Sequence, residues 1–371
     1  MKIDQIHVYS VPLPVAGGAY RTSSTTVEAP DSTLVEVVTD DGRSGWGETC
    51  PLGPVYQPHH ALGARAALAE LAPGLLGLEL ASPRAVARRL DELLAGHGYA
   101  KAALDTAVLD LLGQRLGVPI STLLGGALVD RVPGYHAIPV ASPEQSVDEA
   151  RAAVERGYPR VQLKVGGRDL ARDVETVHRV GEAIGHRARL VVDPNRGMTV
   201  AHAVQFDRLC ADVPFVLEQP CNTVDEMGQL RGRLQHPVSL DENTEDVDTV
   251  LRAICAGTAD AFAFKVTRLG GPTKAALARD LCALRSLPHT VDDAWGGDVI
   301  AATCLHLAAT VDPRLLEGVW IAEDHIAGGA GHYDPDHPVT ATDGHVGVPQ
   351  GPGLGVRPRR ELLPAPVAIH Q

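Results

Sequence analysis

The chain has 371 residues, 44% hydrophobic and 21% charged, enough apolar material for one large barrel with a smaller domain beside it. A formal net charge of −13 without clustered Lys and Arg argues against a nucleic-acid partner, because phosphates call for a basic patch. No run approaches the ~20 apolar residues of a membrane span, and the opening MKIDQIHVYSVPLP lacks the apolar core and cleavage site of a signal peptide, so the sequence reads as cytoplasmic with no membrane partner.

Residues 1 to about 60 alternate apolar and polar, as in STLVEVVTDDGRSGWGE, where Asp41-Gly42 sits between two alternating runs and predicts a hairpin turn in an antiparallel sheet. From His60 the composition turns to Ala and Leu at helical spacing, through ALGARAALAELAPGLLG and AKAALDTAVLDLLGQRLG. After about Arg131, short β-rich runs alternate with longer stretches of helical periodicity, the rhythm of repeated βα units and a parallel sheet. The predicted strands are RVQLKV, RLVVD, FVLEQP, PVSLDE, AFAFKV and HTVDD. Beyond Trp320 the chain is rich in Gly, Pro and His and ends in an extended tail that returns to pack elsewhere. The cysteines (Cys50, Cys210, Cys221, Cys255, Cys282, Cys304) show no CxxC or CxH spacing and read mostly as reduced core residues.

Each predicted strand ends in an ionisable residue, Lys164, Asp193, Glu218, Asp241, Lys265 and Asp292, spaced 23 to 29 residues apart, about the length of one βα unit. In a closed eight-stranded barrel the C-terminal strand ends share one mouth, so these six side chains converge. Three carboxylates, Asp193, Glu218 and Asp241, sharing a pocket at neutral pH require a compensating cation. All-oxygen ligation without Cys or His points to Mg²⁺, with Mn²⁺ as a substitute. A single acid at a βα junction also serves as a helix cap, but three in succession favour the metal. A lone strand-end lysine is usually solvated, yet Lys164 and Lys265 both lie in apolar runs, VQLKVGG and FAFKVTRLGG. Desolvated beside a cation, such an ammonium has a lowered pKa and acts as a base, and the metal stabilises the enediolate left when a proton beside a carboxylate is removed.

Residues 101–126, KAALDTAVLDLLGQRLGVPISTLLGG, with DPN at 193–195, EQP at 218–220, DE at 241–242, KVTRLGG at 265–271 and PGLGV at 352–356, resemble the muconate-lactonizing and racemase subgroup of the enolase superfamily. Lysine bases with Mg²⁺ are that superfamily's known pattern. The resemblance implies an α/β fold, a TIM-like (β/α)8 barrel in its modified (β/α)7β form, under an α+β capping domain. It implies a cap over residues 1–128, a barrel over 129–325 and a C-terminal segment, 326–371, returning to the cap. It also implies one Mg²⁺ per subunit on Asp193, Glu218 and Asp241, Lys164 and Lys265 on opposite sides of the α-carbon, and a homo-oligomer. The family usually carries Lys-x-Lys where this chain has Gln162-Leu163-Lys164, which removes a positive neighbour from Lys164, frees Gln162 to hydrogen-bond a substrate, and disfavours cycloisomerase activity.

VDDAWGGDVIAA, ETCPLGPVY and GVWIAEDH resemble the members acting on proline betaines and hydroxyprolines. In that group Tyr56 and Trp320 correspond to aromatics around a substrate ammonium, with Asp292 and Trp295 beside them. Core packing is the competing reading for Trp320 and Trp295. The expectation is a small-molecule carboxylate substrate and a racemase or 2-epimerase of proline betaine or 4-hydroxyproline betaine. A dehydratase of cis-3-hydroxy-L-proline is the nearest rival. A Schiff-base aldolase has no use for three metal-binding acids, and a non-catalytic osmolyte binder has no use for two lysines.

Overall fold

The structure, a computed structural model, describes residues 1–371. The alternating N-terminal runs form strands β1 (Ile3–Pro12), β2 (Asp31–Thr39) and β3 (Ser44–Thr49), paired antiparallel in the order β1-β2-β3. Gly42, at a φ of +82°, makes the predicted hairpin turn between β2 and β3. Three helices follow: α1 (Ala61–Leu71), α2 (Pro83–Leu93) and α3 (Gly98–Leu116). On β3, Gly45 and Gly47 let the Ala-rich α3 lie on the sheet backbone to backbone, since a Cβ on Gly47 would fall 1.8 Å from the Ala103 carbonyl oxygen.

The eight parallel barrel strands are β4 (His136–Ile138), β5 (Arg160–Lys164), β6 (Arg189–Asp193), β7 (Val216–Glu218), β8 (Val238–Leu240), β9 (Ala261–Lys265), β10 (His289–Asp292) and β11 (Leu316–Gly318), each bonded to its sequence neighbour. The ring closes beside β4 and β11, where Tyr135 N donates to Val319 O at 3.1 Å and Val319 N to Pro133 O at 2.9 Å. Seven helices connect the strands: α4 (Pro143–Glu155), α5 (Leu170–Ile184), α6 (Val200–Leu209), α7 (Val224–Gly228), α8 (Val247–Ala256), α9 (Pro272–Leu284) and α10 (Asp298–Ala308). This is the (β/α)7β arrangement. Six barrel strands coincide with the predicted runs; β4 and β11, three residues each, are too short to show a period.

The last strand, β12 (Ala368–His370), pairs with β1, so both chain ends meet in one sheet. Two barrel helices begin on glycines, which offer no capping side chain, and acids from the N-terminal region cap them instead. At α9, Asp105 accepts Thr273 N at 2.8 Å and Thr273 Oγ1 at 2.7 Å. At α10, Glu48 accepts Gly297 N at 2.9 Å and Ile300 N at 3.0 Å. These bonds set the sheet and α3 against the barrel rim. All six cysteines are free, and only Cys255 is exposed. No helix is long and apolar enough to cross a membrane.

Candidate active site

The C-terminal ends of the barrel strands bring the six predicted residues together. Lys164 ends β5, Asp193 β6, Glu218 β7, Lys265 β9 and Asp292 β10, while Asp241 follows β8; all six are buried. One oxygen from each of Asp193, Glu218 and Asp241 lies within 4.8 Å of the others. None of the three caps the next helix, because Thr199, Thr223 and Asp246 do so for α6, α7 and α8. The backbone beyond β6 and β7 is strained into the left-handed region at Asn195, Arg196 and Gln219, at φ of 45°, 64° and 37°. Asn195 uses that turn to bond Asp193 through its backbone N–H at 2.7 Å and its amide at 2.9 Å.

Burial, then repulsion from Asp193 and Asp241, pushes the Glu218 carboxyl well above the carboxylate range. Burial also raises Asp241, but Lys265 and Arg268 outweigh it and bring the carboxyl down to about 2. Arg268 contributes a 2.8 Å bond from Nη2 to Asp241 Oδ1. Burial, with Asp241 and Asp193 nearby, raises Glu242 to about 8, and its Oε2 has no partner. Converging buried oxygens whose shared ionisation is opposed fit a hard divalent cation, and no His or Cys stands among them.

Lys164 Nζ donates to Asp193 Oδ2 at 2.5 Å, and Lys265 Nζ lies 3.6 Å from Asp241 Oδ2 and 3.5 Å from Asp292 Oδ2. Burial pulls both lysines down, but Asp193 beside one and Asp241 and Asp292 beside the other outweigh it. Both ammoniums therefore stand above their ordinary value. β5 and β9 are four strands apart in a ring of eight, so the two lysines reach the mouth from opposite sides.

Between them lies a small cavity lined by Tyr56, Gln162, Lys164, Lys265, Trp295 and Trp320, among others. Gln162 gives its amide N–H to Glu218 Oε1 at 2.7 Å, so this donor positions the acid. Tyr56 closes from the N-terminal region, its hydroxyl 3.3 Å from Asp241 Oδ2. Trp295 and Trp320 meet edge to face, with ring centroids 5.5 Å apart. Asp292 stands behind the cavity wall, saturated by Tyr135 OH at 2.9 Å, Thr290 Oγ1 at 2.5 Å and Trp320 N at 2.7 Å. Its neighbour Asp293 lines the cavity instead. The sequence reading missed Tyr20, Thr22, Leu52, Tyr135 and Arg268. Arg268 stood within KVTRLGG, whereas Tyr20 and Tyr135 lie in stretches with no readable pattern.

Residues 5–125 match the N-terminal domain of the mandelate racemase / muconate lactonizing enzyme family, and residues 145–362 match the enolase C-terminal domain-like family. The chain belongs to the enolase superfamily, in its mandelate racemase/muconate lactonizing branch. Among relatives, a cis-3-hydroxy-L-proline dehydratase of Roseibium aggregatum is 38% identical over 369 residues, covering 99% of each chain. An N-succinylamino acid racemase of Amycolatopsis sp is 32% identical, covering 98% of this chain and 97% of its own. The crystal structure of an enolase-superfamily member from Roseovarius nubinhibens ISM complexed with magnesium superposes with a TM-score of 0.93 at 34% identity, covering 100% of this chain and 99% of that one. Racemases and a dehydratase thus both occur among the relatives of this enolase-superfamily chain.

Proposed function

We propose that this chain removes the α-proton of a proline-type amino acid and expels its 3-hydroxyl, as a cis-3-hydroxy-L-proline dehydratase, with Lys164 and Lys265 as the acid–base pair. The observation that carries this reading is the placement of two buried lysines on opposite sides of one small cavity beside an acidic triad. In cis-3-hydroxy-L-proline the hydroxyl is cis to the carboxylate, so the α-hydrogen and the hydroxyl occupy opposite ring faces. One lysine takes the proton from its face, leaving an enediolate, while the other protonates the departing hydroxyl from its own, releasing water. The enamine so formed tautomerises to a cyclic imine. Asp193, Glu218 and Asp241 would hold Mg²⁺, which would supply positive charge for the enediolate oxygens and offset the carboxylate charge beside the two lysines. Arg268, Asn195 and Gln162 hold the triad, and Tyr56 with Leu52 screens the cavity from water. The identity to the Roseibium aggregatum dehydratase supports this substrate.

A second reading, 2-epimerisation of proline betaine or 4-hydroxyproline betaine, is favoured by the Trp295–Trp320 pair, whose faces suit a quaternary ammonium. There the second lysine returns a proton to the α-carbon. The chain division carried forward with both readings is cap 1–128, barrel 129–325 and returning segment 326–371, supported by the pairing of β12 with β1.

NMR in D₂O with Mg²⁺ tests both on L-proline, its betaine, and cis-3- and trans-4-hydroxy-L-proline. A cyclic imine from the cis-3-hydroxy compound supports dehydration, and α-deuteration with inversion of a betaine supports epimerisation. No exchange on any member rejects the proline assignment.

A further inference from the structure

Three aromatic residues of the cavity region come from two segments that travel together. Tyr20 lies between β1 and β2, and Trp320 and His325 follow β11. Tyr20 meets Trp295 at 5.4 Å and His325 at 5.1 Å between ring centroids, and His325 lies 5.8 Å from Trp320. Ala16 N donates to His325 O at 2.9 Å and Ala327 N to Pro14 O at 2.8 Å, which joins the two segments into one wall. Burial brings His325 down to about 4, so its ring is neutral against the tryptophans.

Asp324 ties this wall to the barrel. Its Oδ2 accepts from Arg156 Nη1 at 2.8 Å, Tyr158 OH at 3.2 Å and His136 Nδ1 at 3.2 Å. His136, the first residue of β4, also bonds Glu149 Oε1 on α4 through Nε2 at 2.9 Å. Carboxylates only accept, so the charged ring, with an N–H on each nitrogen, can donate to both Asp324 and Glu149. Arg156 Nη2 stands 3.1 Å from the same Nδ1, and the His325 ring stacks on His136 at 5.5 Å. Glu149 from α4, Arg156 just past its C-terminal end, Tyr158 ahead of β5, and Asp324 and His325 from the wall are the groups facing His136, and with the ring charged two anions balance two cations. Burial lowers the His136 pKa, but Asp324 and Glu149 more than restore it, to above its ordinary value.

We propose that Asp324 is a positioning residue: clamped by His136, Arg156 and Tyr158, it holds the wall carrying Tyr20, Trp320 and His325 at the distance that grips the substrate's ammonium. This rests on the proline-type reading above. When His136 loses its proton, Nδ1 becomes an acceptor facing an acceptor and turns to Arg156, so Asp324 loses a donor and the wall loosens. A histidine held above its unfolded value is fully charged below about pH 6.5, and the clamp is released as pH rises through the higher folded value.

The test is tryptophan fluorescence of the ligand-free, full-length enzyme across about pH 6 to 9, with KM and kcat for α-proton exchange. Trp295 and Trp320 report on the wall, while Trp46 on β3 stays constant. The wild type is expected to show one fluorescence transition, with KM rising about tenfold across it, the effect of losing one charge-assisted bond. Asp324→Asn should raise KM about tenfold already at low pH, keep kcat within about threefold and abolish the transition. Tyr158→Phe, a milder change should Asp324→Asn fold poorly, should raise KM less and keep the transition. Wild-type KM or a persisting transition in Asp324→Asn overturns the proposal, as does a fall in kcat with KM unchanged. If no proline-type compound exchanges, the proline reading fails, and the fluorescence transition still decides the clamp.

Discussion

Replacing each lysine in turn by glutamine separates the two half-reactions. Without Lys164, Asp193 keeps the backbone and amide bonds from Asn195 at 2.7 and 2.9 Å. Without Lys265, Asp241 keeps Arg268 at 2.8 Å, and Asp292 keeps its bonds from Tyr135, Thr290 and Trp320. No carboxylate is left without a hydrogen bond, but removing a buried cation beside the triad should still cost about 3–5 kcal/mol, so activity is compared at a temperature where melts show each variant folded. Loss of a positioned acid or base costs a factor of about 10² to 10⁴ in rate, or ~3–5 kcal/mol in the barrier. Because the lysines serve opposite faces, one variant should lose both α-deuteration and product. The other should keep α-exchange of cis-3-hydroxy-L-proline while water loss falls by that factor. The assay is the NMR time course in D₂O with Mg²⁺, with thermal melts to confirm folding. Two variants that both retain exchange and turnover within about tenfold of wild type, or that lose both to the same extent, would refute the assignment of one lysine to each face.

Glu48→Ala leaves Gly297 N, Ile300 N, Ser32 Oγ and Tyr333 OH without their acceptor, and should lower stability by about 3–5 kcal/mol in chemical denaturation, with Glu48→Gln losing less. Gly47→Ala drives a Cβ into the Ala103 carbonyl and should cost about 3 kcal/mol or more, read as a lower melting temperature. Glu218 is raised on folding, so the metal-free protein binds the extra proton and loses stability as pH rises from about 4.5 through the folded value. Melting scans should show that decline without Mg²⁺ and its reversal with Mg²⁺. Mg²⁺ affinity, measured by calorimetry, should rise over the same interval as Glu218 ionises.

The strand-end acids and lysines were legible because a βα repeat has a nearly fixed length and the C-terminal ends of parallel strands share one mouth; the spacing of Lys164, Asp193, Glu218, Asp241 and Lys265 therefore carried the convergence by itself. The oxygen-only chemistry of the triad was legible from residue type alone. Other features depended on contacts between segments far apart in sequence, which leave no local period. The amide of Gln162 is spent on Glu218, and Asp292 lies behind the cavity while Asp293 faces it. Asp105 and Glu48 cap helices about 170 and about 250 residues further along the chain, respectively. The direction in which each lysine pKa is pushed was decided there too, because burial and the neighbouring carboxylates oppose each other, and only the folded distances show which prevails.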